Sequence, residues 1–469
     1  MRIPLIGGHN RRFSPNQDAQ RTVNLYLDID PEEPETGAAL YKVPGRVQFS
    51  VPGSGPIRRM AVFGDYVIAV SGNEVYKIDN AGNATLLGTI LISNDRVDMS
   101  INVGQCIIVS GLKAWIYNGS TLTLVSDPDY PGSEMVDYIG GYFVFFQQDS
   151  QQFFISEINE GTQYNALDFA QAEANVDNIV SIIVDHEELL IFGEETTEVW
   201  YISGNSDFPL ARRQGATMEA GCAAMFSPAK IDNSVFWLGR NSSGAGVIYR
   251  ADQYNPQIIS NRGIEYEISQ LSRLDDAIAY TYQEAGHTFY VLTFPTDAKT
   301  FVYDASIGDA GKAWHIRETY LQGRDRGNCH VFAFNKHLVG DYGSGQIWHQ
   351  SLDYFDDGGL PIVWERTSQR IISDYKRMFF RELIINMERG VGLEDGSDPK
   401  VYLDWSDDGG HTWCSKREAS MGKMGEFLPM VAFTRLGSGR DRVFRITGSD
   451  SVKTVILGGY ITAEQGPHP

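Results

Sequence analysis

Residues Glu187–Gly204 hold the pattern that most narrows what this chain can fold into. Glu188-Leu189-Leu190-Ile191-Phe192-Gly193 is followed by a short polar turn and then by Glu198-Val199-Trp200-Tyr201-Ile202-Ser203-Gly204. Two runs of large and β-branched residues around a turn predict a β-hairpin. The second half of that hairpin recurs at Val75–Ile78, Trp115–Tyr117, Phe154–Ser156, Val247–Tyr249, Phe301–Tyr303 and Ile347–His349. Apolar runs such as Tyr66–Val70, Cys106–Val109, Tyr142–Phe146, Val235–Leu238 and Phe289–Leu292 precede the copies. Anchored on positions 76, 116, 155, 200, 248, 302 and 348, the steps are 40, 39, 45, 48, 54 and 46 residues. A loose period of roughly 40–50 residues built from strands predicts one propeller blade per repeat. A single small sheet cannot bury both of its faces, whereas blades stacked radially bury them and leave only short edges. A large sandwich with regular hairpins is the competing architecture. The expected fold is therefore all-β, a β-propeller of six or seven blades with a C-terminal antiparallel β-sandwich.

The repeats occupy residues 57–352. Residues 1–56 read as an N-terminal arm that packs on the C-terminal domain. Its strand Thr22–Asp28 should end at the acidic, proline-containing loop Asp30–Glu35, because proline breaks a ladder and the charges must stay hydrated. A second strand, Ala39–Lys42, runs into the turn Val43-Pro44-Gly45. The loop Asp353–Pro361, with Asp356-Asp357-Gly358-Gly359, is the expected domain boundary, and 361–469 read as a jelly-roll-like sandwich platform. Its strands are expected at Arg377–Glu388, Lys400–Trp405, Arg442–Thr447 and Thr454–Ala463. In the third of these, Val443, Arg445 and Thr447 should form a wet face opposite Phe444 and Ile446. The best helix candidate is short, Gly263–Leu274, through Ile264, Ile268 and Leu271.

No run of 18 apolar residues is present, so no membrane-spanning helix is expected, and the first residues do not read as a secretory signal. With 60 acidic against 39 basic residues the formal charge is −21, which repels nucleic-acid phosphate. Arg366, Arg370, Lys376, Arg377 and Arg381 form one basic cluster, read as a solvated or subunit-facing surface. The four cysteines, Cys106, Cys222, Cys329 and Cys414, are far apart and predict free thiols.

The sharpest local motif is Ser406-Asp407-Asp408-Gly409-Gly410-His411-Thr412-Trp413, which matches the Asp-box pattern of sialidase propellers. One use would be a glycan hydrolase. The use favoured here is a structural turn, in which Ser406 and Asp408 bond backbone N–H groups, Gly410 supplies positive φ, and Trp413 packs beneath. The box occurs once, and no arginine set for a substrate carboxylate can be placed. The acidic pairs Glu187/Glu188, Glu194/Glu195, Asp275/Asp276 and Asp356/Asp357 are read as solvated turns rather than a hydrolytic pair. No zinc spacing, P-loop, dinucleotide-binding glycine pattern, nucleophile elbow or calcium loop is found. No catalytic residue, metal or cofactor is expected.

Arg21–Tyr26, Val43–Arg46, Thr197–Tyr201 followed by Ser203-Gly204, and Phe301–Ala305 ahead of Trp314 occur in an order that resembles a family. It is the tail accessory, packaged-DNA stabilisation or nozzle family of short-tailed bacteriophages (podoviruses). The resemblance covers about 20–320 and is weaker in the sandwich. It implies a homohexameric virion tube, assembled in the host cytoplasm below the portal and adaptor rings, that continues the DNA channel and retains the genome. It also implies an adaptor ring, tail fibres, spikes or a needle, and double-stranded DNA in the lumen as partners, with no catalysis. Against it stand a sialidase-like hydrolase and a monomeric binding scaffold.

Overall fold

The structure is a computed structural model describing residues 1–30, 32, 37–92, 96–173, 175, 177–205, 207–393 and 396–466. The acidic segment Asp30–Glu35 lies largely outside the described residues. Each sequence anchor falls in the third strand of a blade, from Glu74–Ile78 to Ile347–Ser351, and each preceding apolar run is the second strand. Five blades are free-standing four-stranded sheets spanning 57–89, 98–124, 136–171, 179–212 and 229–258. A sixth, 278–316, and a seventh, built on 327–351, complete the ring. Closure is direct: the innermost strand of blade one, Ile57–Phe63, packs against both Asp98–Ile101 of blade two and Gly327–Ala333 of blade seven.

The apolar runs are continuous because both faces of a blade are buried. In Cys106–Ser110, Cys106 and Ile108 pack towards blade one, while Ile107 and Val109 pack towards blade three. Phe143 and Phe145 then face back to blade two, and Val144 and Phe146 face on to blade four. Alternation of side chains along a strand thus fills two inter-blade cores at once.

The N-terminal stretch does more than cover the sandwich. Gly45–Ser50, within the stretch read as an arm, is the fourth strand of blade seven, antiparallel to Ile347–Ser351. Earlier strands enter the sandwich. One sheet runs Val431–Thr434, Met378–Met387, Val455–Gln465, Ala38–Lys42, Leu25–Ile29, with Arg2–Ile3 also on Val455–Gln465. The facing sheet is continuous with blade six: Val23 pairs in parallel with Ile316 and antiparallel with Glu365. Leu25, Leu40, Leu383, Leu403, Phe444 and Ile456 share the core between the two sheets.

Two readings need correction. Asp441–Gly448 has no wet face: it lies between Trp364–Thr367 and Lys400–Ser406, Val443 and Thr447 are buried, and the half-exposed Arg445 pairs with Asp404. The helix is shorter than expected: it starts at Arg262, where the Asn261 side chain accepts from Gly263 and Ile264 N–H at 2.9 Å, and ends at Ser269, short of Leu271 and Leu274. Ile264 and Ile268 are its buried face.

Candidate functional site

The Asp-box turn follows the strand Lys400–Ser406. Ser406 Oγ accepts from Gly410 N–H at 2.8 Å and donates to Asp408 Oδ1 at 2.6 Å. Asp408 also accepts from the N–H groups of His411 and Thr412 at 2.9 Å and from Thr412 Oγ1 at 2.6 Å. The hydroxyl of Ser406, then that of Thr412, hold its pKa below the usual carboxylate range. Gly410 has φ of 99°. Trp413 is half-buried, with the Arg445 guanidinium 4.0 Å from its ring centroid, so it packs under a cation rather than in a core. The neighbouring Asp407 is held by Arg442 through two bonds of 2.6 and 2.7 Å. Both carboxylates of the motif are therefore committed to the turn and its support.

The basic cluster is split by the fold. Arg366 is fully buried and clamps the start of the chain: it donates to the carbonyls of Leu5 and Gly8, to Thr22 Oγ1 and to Gln20 Oε1. With no carboxylate in direct contact, burial pushes its pKa down to about 9. Arg370, partly exposed, pairs with Asp441; Lys376 is half-buried, and Arg377 and Arg381 are exposed. The acidic pair Asp356/Asp357 is split likewise. Asp357 is buried between Arg46 at 3.6 Å and Arg326 at 3.7 Å. Arg46 in turn donates to both oxygens of Asp325 at 2.9 Å. This buried ionic cluster joins the arm, the link between blades six and seven, and the loop after blade seven. Its sequence signal is Arg324-Asp325-Arg326, three charges in the short link between two blades.

At the propeller axis, polar side chains stitch blade to blade. Arg59 of blade one pairs with Asp98 of blade two at 3.1 Å, and Asp98 accepts from Val136 N–H of blade three. Asp137 of blade three accepts from Val184 N–H of blade four at 2.7 Å. Lys230 of blade five donates to the Val184 carbonyl, and Thr281 of blade six donates to the Lys230 carbonyl. Asn328 of blade seven donates to the Ile57 carbonyl of blade one. Innermost strands are sheet edges, and these bonds satisfy backbone groups that have no ladder partner. Arg96 crosses the axis: it donates to the Asn328 carbonyl at 3.1 Å and lies 5.4 Å from the Phe226 ring, which precedes blade five. One side chain thus ties the link before blade two to blade seven and to the segment before blade five.

The thiols are free. Cys106, Cys222 and Cys329 are buried and Cys414 is half-buried; burial pushes Cys106 up to about 12 and Cys222 up to about 11. Among the described residues no group of three or more His, Cys, Asp or Glu is placed to hold a metal ion, and no helix is long and apolar enough to cross a membrane.

Polar side chains in this molecule hold strands and segments to one another, within a propeller joined to a sandwich. Comparison with protein families agrees: residues 1–353 match "Bacteriophage P22 Gp10, beta-propeller" and residues 363–464 match "Bacteriophage P22 Gp10, beta-sandwich". The chain belongs to the bacteriophage P22 Gp10 family and is a phage tail structural protein. None of the curated protein sequences compared with it matches. Among solved structures, the computationally designed Ika8 protein is similar at 11% identity and a TM-score of 0.39, over 65% of this chain and 99% of that one. The N-terminal domain of Nup159 follows at 9% and 0.40, over 66% and 95%. The extracellular domain of BT4673 from B. thetaiotaomicron is at 10% and 0.42, over 88% and 58%. These likenesses are too distant to bear on function.

Proposed function

We propose that six copies of this chain form a nozzle at the end of a short phage tail, continuing the DNA channel below the portal and adaptor and holding packaged genome until ejection. The observation that carries the reading is the family match to both halves of the chain. Arg96 reaching across the propeller axis favours a DNA-wide lumen formed between copies rather than within one. An acidic chain suits such a wall, since it neither binds phosphate by counterion release nor stalls its passage. In this reading the adaptor ring above and fibres, spikes or a needle below are its protein partners. DNA passes without sequence-specific contact, no reaction is catalysed, and the subunits are made and assembled in the host cytoplasm. The test is to assemble particles without this chain. Filled heads should then lose DNA, and the purified chain should restore retention. Particles that keep their DNA equally well without it would refute the role.

A further inference from the structure

The charge of this chain is unevenly divided. Residues 361–469 hold 15 Lys and Arg against 15 Asp and Glu, so all of the −21 resides in 1–360. Within that part, residues 114–211 hold 17 Asp and Glu and no Lys or Arg. That stretch runs from the third strand of blade two through nearly all of blade four. It borders a cleft of about 1250 Å³ between blades three, four and five, walled by Tyr138, Tyr201 and Tyr254 with Asp185 and Glu187 among its lining. Glu188 inside it is already engaged by Tyr254 Oη at 2.8 Å and by Arg213.

The opposite character is concentrated at one end of the sandwich, where 371–381 meets 435–442. Arg377 donates to Ser438 Oγ, Arg440 to the Tyr375 carbonyl, and Arg435 N–H to the Arg381 carbonyl. Arg381 is paired with Glu464, yet its side chain is 63% exposed. Beside these arginines stand Tyr375, 63% exposed, and Phe379, 46% exposed. Arginine with exposed aromatics is the composition of a protein–protein contact.

We propose that this arginine tip docks into the acidic, tyrosine-walled cleft of a second copy of the chain. Two bodies of −21 repel at long range, so association between copies needs a local contact of opposite sign. The tip and the 114–211 flank supply one. They are different surfaces, so the contact is heterologous, the kind that builds rings rather than two-fold dimers. A long polyanion is a poorer fit for the tip, because DNA extending past it meets the acidic remainder of the chain. Tyrosine rings and carboxylates suit guanidinium groups, which stack on the former and pair with the latter. The proposal rests on the multi-copy reading above and names the surfaces that would form it.

The experiment is a charge exchange on the full chain. Arg377→Glu with Arg440→Glu, or Glu187→Lys with Asp185→Lys, should each weaken self-association by about tenfold or more. Carrying all four changes in one chain should restore it, an outcome that misfolding cannot mimic. An equal mixture of Arg440→Cys and Glu187→Cys chains should give a mixed disulfide dimer. Assembly that tolerates both reversals overturns the contact while leaving the tail reading intact. A chain that remains monomeric at high concentration and forms no mixed disulfide also overturns it. So does short duplex DNA that is retained by the wild-type tip at physiological salt and lost on its reversal. The tail reading is judged separately, by DNA retention in particles.

Discussion

Arg366 Nη2 donates to Gln20 Oε1 at 2.6 Å, although the two residues are 346 positions apart. Through this bond and three others, one buried side chain holds the chain's first turns onto the sandwich. Arg366→Ala removes the donor and leaves buried carbonyl and amide oxygens unpaired, at an expected cost of about 3–5 kcal/mol. Lysine should recover little, since a single ammonium cannot span acceptors arranged for a guanidinium fork. Urea unfolding is the measurement, and a midpoint like that of the wild type would show the clamp to be dispensable.

The Arg46–Asp325 pair should respond in a way that separates pairing from burial. Asp325→Ala removes both 2.9 Å bonds, leaves buried Arg46 only the longer pairing with Asp357 at 3.6 Å, and should cost about 3 kcal/mol. Replacing both residues by apolar ones of similar volume should cost clearly less, because neither charge is then left alone. A double-mutant cycle measures the coupling. Strictly additive losses would contradict it.

Acid should weaken the fold through buried histidines. Burial, then the neighbouring His337 at 3.1 Å, pulls His330 down to about 3, and burial with Arg317 nearby holds His315 well below its ordinary 6.5. The unfolded chain therefore binds protons first as the pH falls. Their contribution is intact above about 6.5 and is lost progressively below it, by up to about 1.4 kcal/mol per pH unit for each histidine. His330→Gln should flatten the slope of stability between about pH 6 and 3. An identical slope in the variant would rule His330 out as a source.

Trp413 is held under Arg445 and is only half-buried, so its removal should be milder than loss of a core tryptophan. We expect Trp413→Ala to cost about 1–2 kcal/mol, from cation–π loss and part of the ring's burial. Ser406→Ala should loosen the turn by freeing Gly410 N–H. Faster hydrogen exchange confined to 406–413 would register this. Global unfolding of the sandwich by either change would mean that the turn does more than close one hairpin.

Purified chain should bind duplex DNA weakly at physiological salt, since −21 per copy opposes phosphate and the effect decays over a Debye length of about 8 Å. Fluorescence anisotropy across a salt series checks this. A sub-micromolar, steeply salt-sensitive affinity would contradict the acidic-wall reading.

Most of the ring was legible because its signal is local. Each second and third strand is a hairpin whose side chains are buried on both faces, so Tyr142–Phe146 or His287–Phe294 announces itself without reference to anything distant. What could not be read were pairings across the whole chain. Nothing near Val23 says that it lies between Ile316 and Glu365, and nothing near Gly45–Ser50 says that its partner is Ile347–Ser351. The charged residues were misjudged for the same reason. Arg366 looks like one of a solvated group, and Asp357 like a loop acid, until residues 5–22, 46 and 326 arrive as partners. The Asp-box turn is the converse case, since the side-chain bonds of Ser406 and Asp408 run between residues at most four apart.

The seventh blade sets a timetable for synthesis. Its fourth strand, Gly45–Ser50, leaves the ribosome some three hundred residues before its partner, Ile347–Ser351. Until then the nascent ring stays open, with Gly45–Ser50 unpaired and the Ile57, Met60 and Ala69 face of blade one uncovered. Closure is therefore a late event, and a chain interrupted before residue 347 would be left with edges suited to joining other chains. Completion of the subunit, rather than folding of its first blades, would be the step that licenses it for assembly.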